Sequence, residues 1–270
     1  MSSTSMTMDE QRQPMPQLRI RQLLVGMGPM LLLYALYTLV RFLLRERGPV
    51  DGVANAYAVL HLEQRLGLGW ETSIQQVTLP HEWLVVAANW YYVLGFLPVI
   101  LISSCLAAMF NFASFVWWRR NFVVTLFLAL IGFAIYPLAP PRMLPGMVDT
   151  LMVYGPRYYG DSNGSSLFNA YGRIPSLVNV YAAMPSMHVA WSIIAGALLI
   201  SSFRQRWWMW TIGFVHPLLM GISVLVTANH FLLDVIMGVA ALIGSLLIVR
   251  GPGWLRQHRQ ADVRESYGGA

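Results

Sequence analysis

The sequence places one histidine and one acidic residue four positions apart in a segment that is otherwise apolar. Between Trp207 and Val249 there are 43 residues, with Asp234 as the one acid and with neither arginine nor lysine. On a helix, His230 and Asp234 would lie on the same face, one turn apart. The carboxylate could then orient the imidazole and leave its other nitrogen as a nucleophile. A polar pair that only ties two helices together would show the same spacing.

A second histidine and an arginine lie at the ends of other apolar runs. His188 begins one such run, and Arg142 follows a pair of prolines at the end of another. In a chain whose apolar runs alternate across a membrane, both residues reach the same surface as the pair formed by His230 and Asp234. The packing of a core does not require this convergence, which therefore favours a functional site.

The composition is that of a membrane protein. The 270 residues are 56% hydrophobic and 11% charged, with a mean hydropathy of +0.53, whereas an ordinary globular domain carries about 25% charged residues. A soluble enzyme is excluded, and the long apolar runs also exclude a disordered chain. Because an ionisable side chain in hydrocarbon is expensive, acids and histidines inside these runs are candidates for function. With Cys105 as the single cysteine, no disulfide can form within one chain.

The net charge of +6 comes from arginine, because the chain has no lysine. The arginines lie in short clusters between apolar runs, which is typical of loops beside anionic head groups. No nucleic-acid-binding module is recognisable, so we expect no nucleic-acid partner.

Six apolar runs are predicted to cross the membrane, at about 20 residues for each crossing. They cover residues 23–44, 83–110, 122–139 and 187–203, with two more inside 207–249 that are joined by a turn near 227–229. The predicted fold class is therefore all-α, a polytopic membrane protein with six transmembrane helices. Residues 48–80 predict an amphipathic helix in the interface, because apolar residues recur at four-residue spacing: Ala54, Ala58, Leu62 and Leu66.

The predicted spans divide the chain into three parts. Residues 1–18 are predicted to be a disordered polar tail, 19–250 a six-span catalytic domain, and 251–270 a polar cytoplasmic tail. Within the domain, 142–184 form a long loop rich in Gly, Pro, Tyr, Ser and Asn, which we interpret as an active-site loop. Eleven arginines fall on the side of the termini and seven on the other. We therefore predict a multi-pass cell-membrane protein with both termini cytoplasmic and this loop on the extracytoplasmic side.

The motifs around these residues resemble those of the type-2 phosphatidic acid phosphatase superfamily. Pro185, Ser186 and His188 match its second motif, which reads Pro-Ser-Gly-His, and His230 and Asp234 match the end of its third motif, His-x-x-x-Asp. The matching region runs from about residue 140 to 234, and the six-span layout covers nearly the whole chain.

Three departures from the superfamily pattern point to one of its branches. Without lysine, the first motif keeps only Arg142; Met187 replaces the glycine of the second, and Val224 stands where the arginine of the third would fall. The remaining motif residues, two histidines and an aspartate with an Ala-Pro-Pro segment before Arg142, resemble those of the branch that contains fungal inositol phosphorylceramide synthase and, more distantly, sphingomyelin synthase. The segments 62–71 and 89–92 also resemble that branch.

The resemblance implies a metal-independent enzyme without a cofactor. His230 would attack the phosphorus of a lipid phosphate ester to give a phosphohistidine, and Asp234 would orient its ring. His188 would protonate the departing oxygen and then deprotonate the incoming lipid alcohol or water.

The same resemblance implies a phosphate-binding set of Arg142, Ser186 and two loop arginines, Arg157 and Arg173. A guanidinium can bind two phosphate oxygens and stabilise the charge that develops on them. For the two loop arginines, ordinary loop charge is the alternative.

Three functions stay open at this point. The first is transfer of a phosphoinositol-type head group to a lipid alcohol, which is favoured because the lysine of the first motif and the arginine of the third are missing. The second is hydrolysis of a lipid or polyprenyl phosphate, which would use the same triad. A transporter with a His/Asp proton relay is a third class, although the sequence has no internal repeat.

The remaining histidines and loop acids are expected to have ordinary roles. His216 precedes a proline in mid-span and is predicted to be a packing residue. His61 and His81 are predicted to lie at the surface, and Asp149 and Asp161 to be solvated loop acids.

Overall fold

The computed structural model describes residues 48–154 and 180–267, with isolated positions between 27 and 42, and its side chains are described as far as residue 250. These residues form helices and turns, with one isolated bridge between Leu138 and Ala182. The all-α prediction is therefore confirmed for them. The predicted tail 1–18, residues 155–179 of the predicted loop and 10 of the 22 residues of the first predicted span lie outside the described residues.

The segment predicted to be an amphipathic helix forms two helices, α1 (Gly48–Leu66) and α2 (Glu71–Thr78). Gly67 ends α1 in the left-handed conformation, with φ of +70°, which glycine adopts without strain. The predicted apolar stripe, which includes Leu62 and Leu66, is exposed, and the opposite face with Ala56 and Glu63 is buried. An exposed apolar stripe is compatible with a membrane interface, and the interfacial location of this segment stays a prediction.

The second predicted span forms two helices with a bend between them. It consists of α3 (Glu82–Leu94) and α4 (Leu97–Phe110), which meet at an angle of 46°. Pro98 stands in the first turn of α4, where its missing N–H costs no hydrogen bond. The proline therefore starts a new helix rather than continuing the old one.

The third predicted span, 122–139, differs from the observed helix α5 (Phe112–Ile135) at both ends. The helix begins earlier because the side chain of Asn111 caps it, accepting a hydrogen bond from the amide of Ser114 at 3.1 Å. It ends earlier because Pro137 follows and cannot continue the ladder of hydrogen bonds. Residues 117–120, which lie outside the predicted span, are therefore helical.

The last three helices follow the predicted boundaries closely at their amino-terminal ends. A 3-10 turn at Pro141–Met143 and a short helix, α6 (Thr150–Tyr154), precede α7 (Met187–Ser202), α8 (Trp207–Val226) and α9 (Leu232–Tyr267). The predicted turn near 227–229 joins α8 to α9. The backbone of α9 continues as a helix into the predicted polar tail.

The central element is α7, which packs against α4, α5, α8 and α9. Trp191, at the middle of this packing, is fully buried and stacks on Phe96 and Phe122. Close approach of α7 to α8 depends on Gly196 and Gly213, since a Cβ on Gly196 would collide with the backbone of Gly213. Helices α7 and α8 therefore lie with their backbones in contact at this point.

Among the described residues, three helices are long and apolar enough to cross a membrane: α5, α8 and the Leu232–Arg250 part of α9. The bent pair of α3 and α4 would be a fourth span. Helix α7 is apolar but shorter, with 16 residues. These lengths and compositions identify a membrane protein, and the count of six spans stays a prediction.

Candidate active site

The turn between α8 and α9 sets the position of His230. Ala228 has φ of +48°, in the left-handed region that is uncommon for a residue with a side chain. The amides of Asn229 and His230 both donate to the carbonyl of Val224, at 3.0 and 3.3 Å. The chain therefore reverses direction within a few residues, and His230 is buried, with 5% of its surface exposed.

Asp234 orients the His230 ring as the spacing predicts. Nδ1 of His230 lies 3.3 Å from Oδ2 of Asp234, which also accepts a hydrogen bond from the amide of Phe231 at 2.9 Å. An ionised carboxylate can only accept, so with Asp234 ionised the proton of the ring would be on Nδ1 and the lone pair of Nε2 would be available. Nε2 is then the ring nitrogen that can act as a base or a nucleophile.

His188, in the first turn of α7, completes a chain of three side chains. Its Nδ1 lies 3.3 Å from Nε2 of His230. Its ring lies between two aromatic rings, with centroid distances of 4.4 Å to Tyr92 and 4.2 Å to Phe96. The structure therefore brings His188, His230 and Asp234 together.

A close backbone contact holds the two histidines side by side. The amide of Ser186 donates to the carbonyl of Asp234 at 2.9 Å. A Cβ on Gly238, one turn further along α9, would collide with the backbone of Ser186. Ser186 is fully buried, and its hydroxyl has no hydrogen-bond partner among the described residues.

Arg142 is attached to the same turn, although not to the histidines directly. Its amide donates to the carbonyl of Ala228 at 2.9 Å, and its Nη1 donates to Oδ1 of Asn229 at 2.7 Å. Nε donates to Oδ2 of Asp149 at 3.0 Å. The prediction of Asp149 as a solvated acid was therefore wrong, since it forms an ion pair with Arg142. Arg157, Arg173 and Asp161 lie outside the described residues.

Two acids that the sequence reasoning assigned no role lie beside the site. Oε1 of Glu71 accepts a hydrogen bond from the amide of Leu232, and Oε1 of Glu63 accepts one from the amide of Leu233, both at 2.6 Å. Both side chains are fully buried. Burial raises the pKa of Glu63 to about 8, and burial also raises the pKa of Glu71. Their i,i+8 spacing across a glycine-rich turn gives no periodic signal that would have identified them.

The other histidines behave as predicted. His216 is buried beside Pro217, and its Nδ1 lies 2.7 Å from the hydroxyl of Tyr91. His61 and His81 are exposed. Among the described residues, no group of three His, Cys, Asp or Glu side chains is arranged to hold a metal ion.

The structure is that of a helical membrane protein in which two histidines and one aspartate lie in contact at one end of the helices. The chain belongs to the PAP2 superfamily, which residues 57–248 match. It is 32% identical over 187 residues to the phosphoinositol dihydroceramide synthase of Bacteroides thetaiotaomicron, an alignment that covers 63% of this chain and 58% of that protein. The chain thus spans less than two thirds of the relative it matches. No solved structure gives a significant match.

Proposed function

We propose that the protein is a lipid phosphotransferase that moves a phosphoinositol-type head group from a donor lipid to a lipid alcohol. The observation that carries this proposal is the continuous contact from His188 through His230 to Asp234, with Nε2 of His230 facing the second imidazole. The superfamily membership and the name of the bacterial relative support the same chemistry.

In the first step, Nε2 of His230 attacks the phosphorus and the bond from phosphorus to the donor lipid oxygen breaks. His188 gives a proton to that oxygen, and the donor leaves as an alcohol. In the second step, His188 takes the proton of the acceptor hydroxyl, whose oxygen attacks the phosphohistidine and releases His230. Asp234 stabilises the charge that His230 carries between the two steps.

The two imidazoles stand too close for the reaction to occur without movement. Their nitrogens are 3.3 Å apart, and in an in-line displacement the phosphorus and the leaving oxygen must fit between them. His230 is held by Asp234 and by the turn, whereas His188 is half-buried between two aromatic rings. One of the two rings must therefore shift when the donor phosphate enters.

Phosphate binding is assigned to Arg142, Ser186, Arg157 and Arg173. Within the described residues, the contacts of Arg142 involve Nε and Nη1, so Nη2 can bind a phosphate oxygen. The buried hydroxyl of Ser186 can donate to another. On the predicted topology, the reaction takes place at the extracytoplasmic face.

The test is an assay of purified protein with phosphatidylinositol labelled in its head group, with and without a long-chain lipid alcohol. We expect the wild type to move label to the alcohol, His230→Ala to be inactive, and the exposed control His61→Ala to match the wild type. If the label appears only in a water-soluble product and never on the alcohol, the reaction is hydrolysis and not transfer. Equal behaviour of wild type and His230→Ala would overturn the proposal.

A further inference from the structure

Three consecutive backbone amides at the start of α9 each donate to a different carboxyl group. The amide of Phe231 donates to Asp234, that of Leu232 to Glu71, and that of Leu233 to Glu63. The first amides of a helix have no partner inside the helix, and acceptors are needed for them. The residues concerned lie in the chain between His230 and Asp234, so these hydrogen bonds fix the backbone that joins the nucleophile to its orienting acid.

We propose that Glu63 and Glu71 are positioning residues for the transfer reaction, acting through the start of α9 on His230 and Asp234. The inference rests on the proposed function of His230. Helices α1 and α2 lie outside the candidate membrane spans. In this proposal they keep His230 and Asp234 in their relative positions.

A merely structural cap would not need two buried acids. One Ser, Thr, Asp or Asn at the N-cap usually satisfies a helix start, and burying a carboxyl group is costly. Here Glu63 and Glu71 reach α9 from 170 and 161 residues away in sequence. A third side chain of the same segment, Gln75, contacts the carbonyl of Val226 at 3.3 Å, at the other end of the turn that carries His230. The segment therefore binds the turn on both sides.

The pair also sets the charge beside the site. The positive end of the α9 dipole favours negative groups here, but the charges of Glu71 and Asp234 add to burial in raising the pKa of Glu63 to about 8. Glu63 therefore holds its proton at pH 7. Apart from each other, the charged group that acts on both glutamates is Asp234. Ionisation of Glu63 near pH 8 would add a negative charge beside Asp234 and the anionic donor, so activity should fall above that pH.

The experiment compares Glu63→Gln, Glu71→Gln, Glu63→Leu and Glu71→Leu with the control Glu82→Gln, which removes an exposed acid from the first turn of α3. The glutamine variants keep an acceptor oxygen, and the leucine variants do not. We expect each leucine variant to lower kcat by about 10- to 100-fold with little change in KM, because a small misplacement of a catalytic group costs that much. Glutamine should rescue kcat at pH 7, and Glu63→Gln should extend activity to higher pH.

Amide hydrogen exchange in residues 230–235 gives a measurement that does not depend on activity. The leucine variants should exchange faster there than the wild type, and Glu82→Gln should not. If the wild type transfers no lipid phosphate, the proposed function is wrong. The exchange rates would still show whether Glu63 and Glu71 hold the start of α9. Folded leucine variants with wild-type kcat, pH profile and exchange would overturn the inference; if they do not fold, an unchanged pH profile in Glu63→Gln would overturn it.

Discussion

His188 and His230 are chemically the same side chain, and their surroundings give them different tasks. The ring of His230 is fixed at Nδ1 by Asp234 and is 5% exposed. That of His188 is flanked by Tyr92 and Phe96 and is more exposed. A ring whose Nδ1 lies against a carboxylate suits a nucleophile, and a more exposed ring suits a group that serves first as acid and then as base.

This division of labour can be tested with the leaving group. In His188→Asn, a lipid donor needs a proton on its departing oxygen and should react at least about 100-fold more slowly. A nitrophenyl phosphate ester, whose leaving group departs without a proton, should still label His230. His230→Ala should label with neither donor. The measurement is the amount of acid-labile, base-stable phosphoprotein after a short reaction; equal losses with both donors would contradict the role of His188.

The proximity of His188, His230 and Asp234 could be predicted because the membrane makes polar residues rare in apolar runs. Glu63 and Glu71 could not be predicted in the same way, since they lie in a segment of mixed polarity, where an acid is usually solvated. The aromatic contact of Phe96 with His188 was missed for the opposite reason: one phenylalanine among many in an apolar run carries no signal. Asp149 was misjudged because its partner, Arg142, was assigned to phosphate alone.

At the scale of the helices, the contact of α9 with α7 sets the distance between the two histidines. Gly238→Ala places a methyl group against the backbone of Ser186, which cannot move aside as a side chain could. We expect this variant to lose about 10-fold or more in kcat through displacement of α9, with its helix content unchanged by circular dichroism. The matched control is Gly221→Ala, where nothing lies within 4 Å of the added methyl group. Wild-type activity in Gly238→Ala would argue against this contact.

The contact of α1 with α9 predicts how stability depends on pH. The pKa of Glu63 is 4.5 when the residue is solvated and about 8 in the folded protein. A raised pKa means that the folded state holds the proton more tightly, so this contribution is complete below about pH 4.5 and is lost as the pH rises to about 8. The melting temperature in detergent should therefore fall over this range less steeply in Glu63→Gln than in the wild type. Glu82→Gln should follow the wild type, and parallel curves for all three would contradict the assignment.

Helix ends were predicted well where a proline or a sharp change in polarity marks them and poorly elsewhere. The start of α7 was correct because Pro185 stands just before it, and the start of α8 because the polar residues 204–206 precede it. The start of α5 was missed because Asn111, its cap, stands inside a run that is apolar on both sides. The bend between α3 and α4 was missed because hydropathy alone does not register a proline in the first turn of a new helix.

For the whole molecule, hydrogen bonds between distant segments define two ends. At one end, Arg142 binds Ala228 and Ser186 binds Asp234. At the other, the side chain of Asn111 donates to the carbonyl of Ser201 at 3.0 Å. Helices α5, α7, α8 and α9 run between these ends, so the convergence that the sequence predicted for His188 and His230 follows from their alternation.

The distribution of arginines predicts which end faces the cytoplasm, and single cysteines can test it. In a Cys105→Ser background, Met152→Cys reports the end that holds the active site, because Met152 is 71% exposed on α6. Gln205→Cys, exposed between α7 and α8, reports the opposite end. We expect an impermeant thiol reagent applied outside intact cells to label position 152 and to reach position 205 only after the membrane is opened. The reverse pattern would mean that the end with the active site faces the cytoplasm. The donor and acceptor lipids of the proposed reaction would then have to be sought in the cytoplasmic leaflet.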